Sequence, residues 1–291
     1  MLKNLMNRPP IYVRMQNMLG GILLNQEQGI LTSVGDWGLR FAGAVKRGLT
    51  FIGSVFAGAW RGVAGRIPVR RTDWWTAFED VGPHAILIVS LISFLIGLIL
   101  AFVGAAQLKL FGAQVYVASL VAIAAIRIMG AMMTGIIMAG RTGASYAATI
   151  GAMAANQELD ALQVMGIGRV DFLVLPRLCA MMVCMPILTL IADAMAILGG
   201  GCVGVLMFHI PLAEYWSYTV DALGIQNFSV GIFHGLVYGI IIALCGCYYG
   251  LTSGRNAAAV GRATTRAVVA SIVWMVVATG FITYVFELLG I

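Results

Sequence analysis

Two ionisable residues stand inside otherwise apolar runs, Arg127 and Asp193. Counted from Arg141 and Arg177, which lie at the basic ends of those runs, they sit 14 and 16 residues in. At 1.5 Å rise per residue both are roughly 20–25 Å deep. Similar depth on consecutive helices makes an Arg127–Asp193 ion pair possible, and an unpaired charge there would be costly. The alternative is that Arg127 faces a cavity and meets an anionic group. Glu158 and Asp160 form a second acidic feature, within the polar stretch 140–168. Ala155, Leu159 and Leu162 recur there at i, i+4 and i+7, which predicts a short helix with one apolar stripe. Lying between two apolar runs, it suits a surface outside the membrane that meets another protein; an ordinary connecting loop is the other reading.

Other chemistries lack their residues. Cys179, Cys184, Cys202, Cys245 and Cys247 lie in apolar runs without metal-ligand spacing, as small hydrophobes do. His84, His209 and His234 are scattered, and no nucleophile or paired-carboxylate constellation appears. The chain lacks a G-x-x-x-x-G-K-[ST] loop, so it is expected to bind neither nucleotide nor metal and to catalyse no reaction of its own. The opening MLKNLMNRPP has no apolar core of a cleavable signal.

The elements that must carry these residues are membrane helices. Of 291 residues 60% are hydrophobic and 10% charged, against roughly 25% charged in soluble domains. The net charge of +6 does not point to nucleic acid, because ten of the 18 Lys and Arg lie in residues 1–84. Apolar runs over about 84–109, 117–140, 178–207, 228–251 and 267–286 predict five spans. Segments 1–84, 141–177 and 252–266 hold sixteen of the 18 basic residues. The positive-inside rule therefore places the N-terminus and the 140–168 stretch in the cytoplasm and the C-terminus outside. Glu214 and Asp221 then fall outside, with Tyr215, Trp216 and Tyr218 at the outer interface.

Ahead of the spans, Arg40, Arg47, Ser54 and Arg61 repeat every seven residues. Phe41, Val45, Leu49, Ile52, Phe56 and Trp60 take the opposite face. That pattern predicts a helix lying in the membrane interface, within an N-terminal region of residues 1–70 ahead of a transmembrane domain of residues 71–291. The pairs Gly200/Gly204, Gly235/Gly239 and Gly246/Gly250 allow close helix packing in lipid.

From about residue 80 onward the chain resembles the MlaE-type permease family. The likeness rests on VSLISFLIGLILAFVGAAQLKLFGAQVYVASLVAIAAIRIMGAMMTGIIMAGRTGASYAATIGAMAANQELDALQVMG, then VDFLVLPRLCAMMVCMPILTL, then VGRATTRAVVASI. Glu158, Leu159, Asp160, Ala161 and Leu162 match the family's coupling-helix E-x-D-A-L pattern. Gly140, Arg141 and Gly143 match its A-G-R-x-G turn, and Pro176 and Arg177 its P-R. Gly261, Arg262, Ala263, Thr264 and Thr265 match G-R-A-T-T. Arg127 matches the arginine of R-E-L-G-P, which borders the lipid cavity. Ile128, Thr149 and Ala258 stand where relatives carry glutamate, Ala131 replaces the proline, and Ala154 replaces a basic residue.

The resemblance implies an all-α permease subunit of a phospholipid-moving ABC transporter in the bacterial inner membrane, working as a homodimer. Its partners would be a cytoplasmic ATPase, which holds the ATP and Mg, and a periplasmic Mce-type lipid-binding protein, with a small STAS-type protein as a further candidate. Residues 158–162 would seat on the ATPase. Phe94, Leu98, Phe102, Ala124, Arg127 and Met132 would line the lipid cavity, with Asp193 as the intramembrane charge partner. A stand-alone secondary transporter or channel is the alternative. It would need more embedded charges or an inverted repeat, and five spans show neither. A lipid-modifying enzyme would need a constellation the chain lacks.

Overall fold

The computed structural model describes residues 42–43, 45–61 and 71–290, with side chains from Trp75 onward in the last stretch. Arg40 and Phe41 of the N-terminal heptad pattern lie outside the described residues. All regular structure among the described residues is helical, and five helices are long and apolar enough to cross a membrane. They are α1 (Arg71–Val81) continuing into α2 (Pro83–Lys109), α3 (Gln114–Ala155), α5 (Val170–Leu206), α7 (Ile225–Leu251) and α8 (Ala257–Leu288). Two short helices stand between spans, α4 (Glu158–Val164) and α6 (Leu212–Ala222). Pro83 opens α2 just after Gly82, and α1 and α2 together make the first candidate span, Trp75–Lys109.

The helix that carries the second span does not end near Gly140. α3 continues to Ala155, and Tyr146, Ala147 and Ile150 are buried in it where it packs on α7 and α8. Residues 140–155 are mostly Gly, Ala, Ser and Thr, which lower mean hydropathy yet let helices approach closely. Their polarity reflects tight packing rather than exposure. Only residues 156–169 leave the bundle at this point. α5 and α8 also begin earlier than the apolar runs suggest, at Val170 and Ala257, with Asp171 and Arg177 inside the start of α5 and small residues with Arg262 and Arg266 at the start of α8. Asn156 ends α3, and Asn256 caps α8 by accepting from the Ala259 N–H at 2.7 Å.

Backbone approaches dictate where the helices cross. At the α2–α5 crossing a Cβ on Gly97 would overlap the Ala196 backbone, and one on Gly199 would overlap the Phe94 carbonyl. α7 lies between α3, α5 and α8. Both of its predicted glycine pairs serve that position, with Gly239 against the Met181 carbonyl of α5 and Gly246 against the Gly143 carbonyl of α3. The outward faces are apolar: Leu87, Leu91, Leu95 and Ile99 form a stripe on α2, and Val269, Val273, Val276 and Phe281 are exposed on α8.

α3 and α5 also carry three π-helical turns, Ala125–Met129, Ala139–Gly143 and Val170–Val174. Each holds one charged residue: Arg127, Arg141 and Asp171.

The chain divides into two contact units, residues 1–53 and 54–291. In the first, residues 45–53 are helical with Val45, Leu49 and Ile52 exposed. In the second, residues 54–61 are helical and turn Val55 and Gly58 inward, Gly58 against Asp171 and Leu175 of α5. Arg61 meets the Asp171 carboxylate at 3.2 Å. Phe56 and Trp60 point away from the bundle, Trp60 with 79% of its surface exposed.

α6 revises the aromatic belt expected outside the third span. Trp216 is exposed, but Tyr215 is buried and its hydroxyl donates to the Ile197 carbonyl of α5 at 2.9 Å. Its ring sits over Gly200, Gly201 and Gly204, whose missing side chains make the room. Burial pushes the Tyr215 phenol up to about 12 from its ordinary 10. A phenol harder to ionise in the fold than in the unfolded chain means the stabilisation is intact below pH 10 and is lost as pH rises toward 12. Over that window the protein is expected to lose stability from this group. Tyr215→Phe should flatten that part of the pH–stability curve, measured by thermal unfolding in detergent.

Candidate functional site

Within the span region, the structure separates the two predicted charge partners. Arg127 is half-buried, and its NH1 donates to the Asn227 Oδ1 at 3.3 Å. Asn227 lies in the first turn of α7 and itself donates to the Ala222 carbonyl at 3.3 Å. Asp193 is 6% exposed, and no ion pair joins it to Arg127. The α3 residue that faces Asp193 is Gly130, where a Cβ would overlap the carboxylate Oδ1. That oxygen has no hydrogen-bond partner among the described residues, and neither do Ser93 Oγ, Thr134 Oγ1 and His234 Nε2.

The predicted cavity residues do not gather around one space in a single chain. Leu98 packs on the buried cluster of Ala101, Ala105, Val117, Val121 and Val203, so it belongs to the core between α2, α3 and α5. Phe102 is exposed, while Phe94, Ala124 and Met132 are half-buried. The space between Ser93, Gly130 and Ala196 is about 10 Å³, enough for a water at most.

At one end of the bundle, residues 156–169 build a firmly held projection. α4 is only seven residues long, too short to persist by itself, so its ends are fixed by other means. Gln157 enters it with φ 63° and Gly166 leaves it with φ 75°. The Gly166 N–H bonds the Gln163 carbonyl at 3.1 Å and the Ile167 N–H bonds the Leu162 carbonyl at 3.0 Å, closing a Schellman turn that favours glycine. Leu159 is buried beneath the helix.

The five predicted coupling residues therefore divide by direction. Glu158 and Ala161 are exposed, Leu162 is half-buried, Leu159 points inward, and Asp160 is turned sideways into a clamp. Asp160 Oδ1 meets Arg169 NH2 at 3.0 Å, and Oδ2 meets Arg255 NH2 at 3.0 Å. Arg169 also donates to the Leu159 carbonyl at 3.2 Å and to the Gln163 side chain. One carboxylate thus ties α4 to the start of α5 and to the loop before α8. Just beyond it, Val164 and Met165 are 88% and 64% exposed, an apolar tip at the end of α4.

Arg169 and Arg255 escaped the sequence reading as site residues. Both lie in the segments rich in positive charge, but nothing in their spacing points to one shared carboxylate. The remaining motif residues have local duties. Arg141 donates to the Asp80 carbonyl at 3.3 Å, and the Gly261 carbonyl accepts from the Thr264 and Thr265 hydroxyls at 2.7 and 3.2 Å. Thr149 satisfies itself on the Ser145 carbonyl at 2.9 Å.

Comparison with known proteins bears on this arrangement. The family model described as Permease MlaE matches residues 74–285. A probable ABC transporter permease protein of Rickettsia typhi is 34% identical over 203 residues, covering 70% of this chain and 78% of the relative. One from Rickettsia prowazekii is 34% identical over 206 residues, covering 71% and 80%. One from Synechocystis is 29% identical over 222 residues, covering 74% and 82%. With the five apolar helices, the matched span and these relatives agreeing, the chain belongs to the MlaE permease family, multi-pass membrane subunits of ABC transporters.

Proposed function

We propose that this chain is the membrane half of an ATP-driven phospholipid transporter, and that α4 is where force enters it. The observation that carries the reading is the apolar tip of Val164 and Met165 on a short helix braced by the Asp160 clamp. A rigid knob with two exposed hydrophobes fits a groove in a partner ATPase, which would bind ATP and Mg. Because Asp160 links α4 to α5 and to the loop before α8, displacement of the knob would reach two membrane spans together. Two copies of the chain would enclose the lipid path, with Arg127 at its polar edge, and hand lipid to an Mce-type carrier on the far side of the inner membrane. The α4 end is then cytoplasmic. Residues 54–61 would lie in the interface on that side, with the exposed Phe56 and Trp60 facing lipid.

Val164→Asp combined with Met165→Asp tests this. An acidic tip cannot enter an apolar groove without a partner charge. The expected result is loss of the ATPase from the complex purified out of its own host, with the permease still folded. Undiminished co-purification would remove α4 as the docking element.

A further inference from the structure

Arg127 and Asp193 stand apart because of one helical turn. In an unbroken α-helix residues three apart are neighbours on one face. Arg127 would then lie beside Gly130, whose backbone meets the Asp193 carboxylate. The π-helical turn Ala125–Met129 holds one extra residue and turns Arg127 away from that face.

Asn227 receives it. Arg127 NH1 donates to Asn227 Oδ1 at 3.3 Å, and Asn227 Nδ2 donates to the Ala222 carbonyl at 3.3 Å. Both ends of the amide are used, the oxygen toward a guanidinium and the nitrogen toward a carbonyl. Aspartate at 227 would set a second acceptor against the Ala222 carbonyl, and leucine would leave both neighbours unmet. Ala222 is the last residue of α6, so its carbonyl is among those a helix leaves without an internal partner. α6 is itself fixed to the first turns of α3. Ser119 donates to the Tyr218 carbonyl at 3.2 Å, and the Tyr116 and Tyr218 rings meet edge to face at 5.5 Å. Through one side chain, the direction of Arg127 depends on where α6 ends.

On the other side stands an unmet demand. Asp193 Oδ1 is buried without a hydrogen-bond partner among the described residues, and a buried acceptor left in that state is costly. Arg127 is the one cation of α3 within a turn of Gly130. If the extra residue passes one turn toward the Gln114 end, Ala125–Met129 joins the phase of the helix that follows. Arg127 then returns to the Gly130 face and its guanidinium comes to Asp193.

We propose that Asn227 is a positioning residue that decides the partner of Arg127. While α6 holds the Asn227 amide, Arg127 stays on Asn227; once that hold is released, the π turn shifts and Arg127 pairs with Asp193. The transport reading supplies only the use of this movement, withdrawal of a cation from the lipid path as the transporter changes state. The pairing itself does not depend on it.

Thermal unfolding of the full-length chain in mild detergent, without its ATPase, tests the choice by mutant cycles. With Asn227 intact, Arg127→Gln and Asp193→Asn are expected to shift the melting temperature additively, to within about 2 °C. In an Asn227→Leu background the same two changes should be non-additive by about 5 °C or more, because each then breaks one pair inside the membrane. Asn227→Asp is the opposite case. A carboxylate there holds Arg127, so Arg127→Gln should cost about 5 °C more than in the unchanged protein, with its coupling to Asp193 still within about 2 °C. A merely structural asparagine would lower the melting temperature without altering how the Arg127 and Asp193 changes combine. Additivity in the Asn227→Leu background, or coupling already present with Asn227 intact, overturns the proposal. If Asn227→Leu yields no folded protein, the Asn227→Asp background decides, and an unchanged cost of Arg127→Gln there overturns it. Neither ATP hydrolysis nor lipid transfer enters the readout, so failure of the transport reading leaves it untouched.

Discussion

Gly97→Ala is expected to prevent normal assembly of the bundle, with a loss of about 3 kcal/mol or more. The nearest atoms to the added methyl are all backbone atoms of Ala196, so no rotamer change makes room. α2 and α5 would have to separate, and the crossing is held from the other side by Gly199 against the Phe94 carbonyl. Gly199→Ala should behave similarly. Gly280 is the control, a helical glycine of α8 with no atom within 4 Å of a built Cβ. Gly280→Ala should change stability by no more than about 1 kcal/mol, in the favourable direction, because alanine is the better helix former. Thermal unfolding and the yield of folded protein in mild detergent decide between them. Equal behaviour of Gly97→Ala and Gly280→Ala would mean the helices are not in backbone contact.

Asp160→Lys should separate binding from work. Each of the two ion pairs is partly exposed and worth at most about 1 kcal/mol, so their loss alone should not unfold the protein. The reversal does more than remove them, because it sets a lysine between Arg169 and Arg255. α4 would swing free of α5 and of the loop before α8 while its apolar tip stays exposed. The expected phenotype is a complex that still carries its ATPase and hydrolyses ATP, with lipid movement lowered about tenfold or more. Asp160→Asn should be milder, since an amide still accepts from one arginine. Paired measurement of ATP hydrolysis and lipid transfer in reconstituted vesicles tells this apart from the tip variants, which lose the ATPase altogether. Unchanged lipid transfer in Asp160→Lys would show that the clamp plays no part in transmission.

The five membrane helices were legible because hydrophobic length depends on composition alone, and a run such as residues 84–109 carries no charge before Lys109. What misled was residues 140–155. Small residues look polar on a hydropathy scale, yet Tyr146, Ala147 and Ile150 are buried by neighbours that small residues admit. A short helix does stand at Glu158–Val164, but the spacing of Ala155, Leu159 and Leu162 does not describe it, because Ala155 closes α3 and Gln157 breaks the helix between them. The direction of each of its side chains was not readable either. Whether Asp160 faces outward or sideways depends on Arg255, 95 residues away, and no local pattern carries that. Arg127 and Asp193 show the same limit. Equal depth is a one-dimensional measure, and pairing also needs facing surfaces. The helix surface presented to Asp193 belongs to Gly130, while Arg127 reaches the first turn of α7.

The three π-helical turns bear on how this chain can change over time. A turn of this kind accommodates one residue more than an α-helical turn, so each is a single-residue insertion held inside a continuous rod. One residue corresponds to about 100° of rotation. In α3 the two turns put the segments before Ala125, from Gly130 to Met138 and after Gly143 in three different phases. A helical wheel drawn through all of them at once scrambles core and lipid-facing positions. Deleting one residue between Ala125 and Met129 would straighten the rod locally and rotate one part against the other, withdrawing Gly130 from Asp193 or Gly143 from α7. Changes of length here are tolerable only in compensating pairs. Arg127, Arg141 and Asp171 mark the places where that phase is set.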